Sequence, residues 1–297
     1  MIPFPFASSR ALPTCARLAA LGLALVLTAC SGGDRVEPRS MDETLAADLQ
    51  QVGAARVYFG HQSVGGNILS GLAELQQQLD RPAIRVAELG ALDANDGQGV
   101  LLHTAVGANG QPDSKCEDFR QVLQRLQGNV DVALFKFCYI DFDDRSDAAA
   151  IFATYARTMD ALKQQYPGVV FIHVTAPLRT VDRGPGVWVR ELLGKRNRAK
   201  YANAARNEFN RLLRERYASD PIFDLAAAMS TYPDGRRESF TLDGKEYQSL
   251  VPAYTDDGGH LNALGAPYVA ADFVHGIASA LRARAGAPAT SPAAPGP

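Results

Sequence analysis

Between residues 41 and 284, short apolar runs alternate with longer stretches in which apolar positions recur with a helical period. Runs of strand length fall at 56–60, 83–88, 130–138, 169–175 and 221–224, and helices are predicted at 41–52, 64–79, 117–126, 147–166, 197–217 and 263–283. In the last two, Ala205, Phe209, Leu212 and Leu213 share one face, as do Val269, Phe273, Ile277 and Leu281. Near-continuous apolar strands separated by amphipathic helices predict a parallel sheet covered on both faces, an α/β fold with three α/β/α layers. No repeat or internal linker divides this span, so one domain is expected. Three stretches, 89–115, 178–196 and 229–254, are too long for simple connections and read as functional loops. The first two follow strands and should rise at the carboxyl edge of the sheet, where open α/β sheets bind ligands.

The two ends of the chain break this pattern. Arg10 and Arg17 precede an apolar run at 18–27 and then Thr28-Ala29-Cys30. That run is about half the ~20 residues a spanning helix needs, so residues 1–29 read as a signal peptide rather than a membrane span. The segment resembles the lipobox of bacterial lipoproteins, which implies lipidation of Cys30 and anchoring to a membrane. Ser31 after that cysteine resembles the outer-membrane sorting pattern. Residues 30–40 read as a flexible tether and the Ala/Pro/Ser-rich 285–297 as a disordered tail.

Apolar content of 46%, charged content of 21% and a net charge of −2 are those of an ordinary globular protein and give no reason to expect a nucleic-acid partner. Once a signal is removed, Cys116 and Cys138 remain as side chains, and in an oxidising compartment the pair predicts a disulfide.

Candidate chemistry sits at two places. Ser63 follows the first strand in Tyr58-Phe59-Gly60-His61-Gln62-Ser63-Val64-Gly65-Gly66-Asn67 and immediately precedes a helical segment. A serine at such a turn is exposed at the sheet edge beside the free amides of a helix start, although serine also serves there simply as a cap. Far downstream, Thr255-Asp256-Asp257-Gly258-Gly259-His260-Leu261-Asn262 precedes the last helix. The Asp-Gly-Gly-His spacing lets the loop fold so that the Asp257 carboxylate accepts the Nδ1 proton of His260, leaving Nε2 as a base for a serine hydroxyl.

With these residues the chain resembles the SGNH/GDSL hydrolases, from Val57 to about Leu281. The resemblance rests on the early Ser63, the late Asp257-x-x-His260 with Leu261-Asn262-Ala263-Leu264-Gly265, and the segments Tyr201-Ala202-Asn203-Ala204-Ala205 and Phe223-Asp224-Leu225. It implies a flavodoxin-like fold, Ser63 as nucleophile, His260 as base, Asp257 as orienting acid, no cofactor, and a small-molecule or carbohydrate ester as substrate. Two blocks depart from the family. His61-Gln62-Ser63 stands where Gly-Asp-Ser is usual, and Cys138-Tyr139-Ile140-Asp141 stands where Gly-x-Asn-Asp supplies an oxyanion donor. The expected substitutes are the amides of Ser63 and Gly107 and the side chain of Asn109, although Gly107-Ala-Asn-Gly110 also has the composition of a plain turn.

Ester hydrolysis at the bacterial cell envelope is therefore the leading expectation. Acetyl transfer to a polysaccharide and a non-catalytic, glycan-binding lipoprotein are the alternatives. Lys136 inside an apolar strand reads as a local ion pair or a snorkelling stem. Asp141, Asp143, Asp144 and Asp147 lack the pattern of a calcium loop and read as caps rather than metal ligands, and the histidines show no zinc spacing.

Overall fold

The structure is a computed structural model that describes residues 37, 39–90 and 99–286. The segment expected to be a signal peptide, Cys30, most of the expected tether and the part of the expected tail beyond residue 286 lie outside the described residues, as does 91–98. Six strands form the main sheet: β1 (Arg56–His61), β2 (Val86–Glu88), β3 (Val100–Ala105), β4 (Val132–Phe135), β5 (Val170–Val174) and β6 (Ile222–Phe223). Their order is β2-β3-β1-β4-β5-β6, and every pairing is parallel. Among the described residues eight α-helices accompany them: α1 (Glu43–Gly53), α2 (Ser63–Gln76), α3 (Pro112–Arg125), α4 (Ala148–Gln165), α5 (Pro185–Leu192), α6 (Arg198–Arg216), α7 (Leu225–Ser230) and α8 (Gly265–Gly286).

Side-chain alternation along the strands divides the core into two layers. Val57 and Phe59 face a cluster with α1, α2, α7 and α8, whereas Tyr58 between them faces one with α3, α4 and α6. This is the expected three-layer α/β/α arrangement, built because buried parallel strands need helices on both faces. Asp147 caps α4 through the Ala150 amide at 3.0 Å, and Asn197 caps α6 through the Lys200 amide at 3.3 Å. Those two helices match their sequence prediction to within a residue at each end.

The long loops contain more structure than expected. Strand β3 lies inside 89–115 and pairs with β1 along its whole length. Only Val100-Leu101-Leu102 marks it as apolar, because its second half, His103-Thr104, runs into a polar region beside His61. A second, two-stranded antiparallel sheet of β7 (Ser239–Leu242) and β8 (Lys245–Gln248) occupies part of 229–254. Its turn is Asp243-Gly244 with φ of 50° and 75°, the positive-φ pair that a two-residue hairpin requires.

Among the described residues no helix is long and apolar enough to cross a membrane. Helix α2 and the start of α8 touch backbone to backbone, since a Cβ on Gly71 would lie 2.3 Å from the Ala266 carbonyl. Only glycine lets the two helices approach this closely.

Candidate active site

Ser63 opens α2 directly after β1 and is exposed. Gln62 holds the cap position but does not cap. Its side-chain amide instead donates to the carbonyls of Val106 at 2.9 Å and Gly107 at 2.8 Å, tying the turn after β3 to the turn after β1. The amides of Ser63 and Val64 therefore have no side-chain acceptor from the cap residue, while that of Gly65 donates to the Gln62 carbonyl at 2.8 Å. Gly65 is required here for a steric reason. A Cβ there would come within 2.3 Å of the His61 side chain, which packs under the first turn of the helix.

Asp257 and His260 form the expected pair. Asp257 Oδ2 accepts from His260 Nδ1 at 2.5 Å, while Oδ1 accepts the amides of Gly259 at 2.9 Å and His260 at 2.8 Å. These donors, the imidazole foremost, hold the Asp257 carboxyl well below the usual carboxylate range. With the Nδ1 proton engaged, Nε2 is the ring's acceptor. Gly258 makes the sharp turn at φ 80°, and its carbonyl accepts from the Thr180 amide at 3.0 Å. The loop is also fastened to the helix that Ser63 begins, since Asn67 Oδ1 accepts the Leu261 amide at 3.2 Å. Asn67 lies one helical turn beyond Ser63 on the same face. Among the described residues Ser63 and His260 make no direct hydrogen bond, and the group that meets the imidazole is Tyr139.

Tyr139 begins a 3-10 turn, Tyr139–Asp141, just past β4. Its hydroxyl lies 3.2 Å from His260 Nε2 and 3.5 Å from Nδ1, with the rings at 72°. Sequence reasoning overlooked it because a tyrosine after a strand has no motif of its own. The turn is held by Arg206, which is 4% exposed and donates to the Tyr139 carbonyl at 3.0 and 2.7 Å and to that of Phe142 at 3.0 Å. Asn203 connects Arg206 to the loop after β5, accepting from Arg206 at 2.9 Å and from the Arg179 amide at 3.0 Å. The Arg179 guanidinium lies over the Tyr139 ring, 5.0 Å from its centroid, and donates to the carbonyls of Gly258 and Asp257.

The expected oxyanion loop is only partly free to act. The Gly107 amide donates to Asp118 at 2.9 Å, so it is not the free donor expected beside Ser63. Gly107 is a glycine because its φ is 56° and a Cβ would lie 2.6 Å from the Lys115 amide nitrogen. Asn109 is exposed, and its carbonyl oxygen accepts from Lys115 Nζ at 3.1 Å, which leaves its amide hydrogens directed elsewhere. Lys115 is fully buried and also pairs with Asp141 at 2.7 Å. Asp141 completes its shell with the amides of Cys138 at 2.6 Å and Gly110 at 2.8 Å. Ile140 is 56% exposed and has no side-chain donor.

Other expectations are corrected. Cys116 and Cys138 are buried free thiols, not a disulfide. Helix α3 starts earlier than predicted, which places Cys116 inside it, and burial pushes its thiol up to about 12. Cys138 lies 3.9 Å from Lys136 Nζ. Lys136 neither snorkels nor forms a carboxylate ion pair. It is fully buried, donates to the Phe137 carbonyl at 3.2 Å, and is drawn down to about 8, chiefly by burial. His61 donates from Nδ1 to the Gln62 carbonyl at 2.9 Å, so its Nε2 accepts from His103 Nδ1 at 3.2 Å and is not available as a second base. Among the described residues no cluster of three or more His, Cys, Asp and Glu could hold a metal ion.

No protein-family model matches the chain, and no curated protein matches it. Solved structures similar to it include ester-acting proteins and a member of the GDSL family. A putative platelet activating factor from Streptococcus pneumonia is 11% identical over 77% of this chain and 89% of its own, with a TM-score of 0.40. A putative lipolytic protein of the G-D-S-L family from Desulfitobacterium hafniense is 8% identical over 74% and 98%, with a TM-score of 0.37. An acetylxylan esterase from Geobacillus stearothermophilus is 12% identical over 76% and 96%, with a TM-score of 0.36. At these scores nothing about residues or substrate is carried across.

Proposed function

We propose that the protein is a serine ester hydrolase of the SGNH/GDSL kind, with Ser63 as nucleophile, His260 as general base and Asp257 as the acid that orients it. One observation carries the reading: the Asp257–His260 pair, at 2.5 Å, sits on a loop bonded through Asn67 to the first turn of the helix that Ser63 begins. In the reaction Ser63 Oγ attacks the ester carbonyl as its proton passes to His260 Nε2. Asp257 steadies the imidazolium, and the same proton then goes to the departing alcohol. Water reverses these steps on the acyl-enzyme. The Ser63 amide at the start of α2 and the Asn109 side-chain amide are the proposed oxyanion donors.

A cleft of about 520 Å³ opens beside Asp257 and is lined by Arg179, Thr180, Asp182, Arg206 and Asp256 among others. Its polar walls favour a hydroxyl-rich alcohol over a long acyl chain, and an acylated carbohydrate is the proposed substrate class. The lipobox-like segment ending at Cys30, with Ser31 after it, supports anchoring in the cell envelope, at the outer membrane.

Incubation with a fluorophosphonate probe and, separately, with an aryl acetate tests the triad. Ser63 should label, and Ser63→Ala and His260→Ala should each lose labelling and at least ~10⁴-fold in kcat/KM. An intact protein that neither labels nor releases acetate overturns the reading.

A further inference from the structure

The hydroxyl of Tyr139 has a placement that neither a buried structural tyrosine nor a blocking group explains. It is close to both ring nitrogens of His260, at 3.2 Å from Nε2 and 3.5 Å from Nδ1. Those nitrogens flank Cε1, so an oxygen this close to both in the ring plane would collide with that carbon. The hydroxyl therefore stands over the face of the imidazole. The Nε2 lone pair lies in the ring plane, so a hydroxyl over the face does not occupy it. The phenol is thus beside the reacting atoms, with its proton committed only to a poorly aligned contact.

The position is mechanically fixed. Two bonds from Arg206 hold the Tyr139 carbonyl, Arg179 covers the ring, and a Cβ on Gly259 would lie 2.9 Å from the ring's Cε1. The glycine next to the base is thus the one residue that admits the phenol there. Burial first of all raises the phenol above its ordinary value, so it keeps its proton and acts as a donor. One donor that the sequence offered is also unavailable, because the Gly107 amide is held by Asp118, and Ile140 has no side-chain donor.

We propose that Tyr139 is a catalytic residue of this site, a hydrogen-bond donor to the oxyanion that replaces the missing side chain at position 140. The proposal rests on the serine-hydrolase reading above. When Ser63 Oγ bonds to the carbonyl carbon, the π pair moves onto the carbonyl oxygen, two bonds from Oγ, and Oγ itself must stand within ~2.6–3.2 Å of Nε2. The Tyr139 hydroxyl, already at Nε2, turns its O–H from the imidazole face to that oxygen. It loses no proton at any step. The Ser63 proton alone moves, first to Nε2 and then to the leaving alkoxide.

The test compares wild type, Tyr139→Phe, Gly259→Ala and Ser63→Ala with an aryl acetate and with a boronic acid that forms a tetrahedral adduct on serine. Tyr139→Phe should lower kcat by ~10²- to 10³-fold with KM within about twofold, and weaken the boronate by a similar factor. Gly259→Ala, which displaces the ring but leaves Tyr139 in place, should shift both in the same direction. Thermal melts keep a folding defect from being read as a catalytic one. Wild-type rates and boronate affinity in folded Tyr139→Phe would overturn this proposal alone, with Ser63→Ala still inactive. Hydrolysis that survives Ser63→Ala would instead overturn the serine-hydrolase reading and this proposal with it.

Discussion

Single residues decide how much of this site was readable in the sequence. Ser63, Asp257 and His260 stood out because a strand-to-helix serine and an Asp-Gly-Gly-His loop are local patterns, and the carboxylate–imidazole bond at 2.5 Å is what that spacing is built to make. Gly107 was legible as special and misread in its purpose. Its amide is spent on Asp118, and its lack of a side chain answers a φ of 56° and the nearby backbone of Lys115. Gly107→Ala should accordingly cost about 1–3 kcal/mol in chemical denaturation, through strain and displacement of α3. A neutral result would mean that the role of Gly107 is chemical after all. Tyr139 was invisible because its partners, Arg206 and His260, are 67 and 121 residues away.

At the scale of elements, the helices and central strands followed from periodicity, while β3 did not. A strand that feeds a polar site gives up its apolar alternation in the half that matters. The hairpin of β7 and β8 carried its own signal, Asp243-Gly244, within a stretch read as loop. The junction between α3 and the 3-10 turn after β4 was not legible either, since Lys115 and Asp141 are 26 residues apart and each looks like a surface charge. They form a fully desolvated pair that holds the Asn109 loop against the end of β4. Lys115→Met should leave the Asp141 carboxylate buried with only amide donors and cost about 3–5 kcal/mol, measured by urea denaturation. A loss below ~1 kcal/mol would show that water relieves the stranded charge.

For the molecule as a whole, two buried histidines set an acid limit. Burial pushes both His61 and His173 from 6.5 down to about 4. His173 is packed between Tyr155 and Tyr217 near Asp220, and His61 lies against His103 with Lys136 close by. Because their folded values are lower, the unfolded chain takes up protons first as pH falls. Stability should be full above 6.5, erode down to about 4, and change no further on their account below that. Denaturation midpoints across this range check the sign, and His173→Asn should flatten the slope. A midpoint that rises on acidification would contradict it.

The backbone contact that Gly71 permits between α2 and α8 also bears on how the site comes together. The helix that begins with Ser63 precedes the loop bearing His260 in the chain, and that loop leads directly into α8, which lies against α2. An incomplete chain thus carries a serine with no partner to draw off its proton. For the proposed hydrolase, the packing of α8 on α2 is what brings the two halves of the triad to one edge of the sheet.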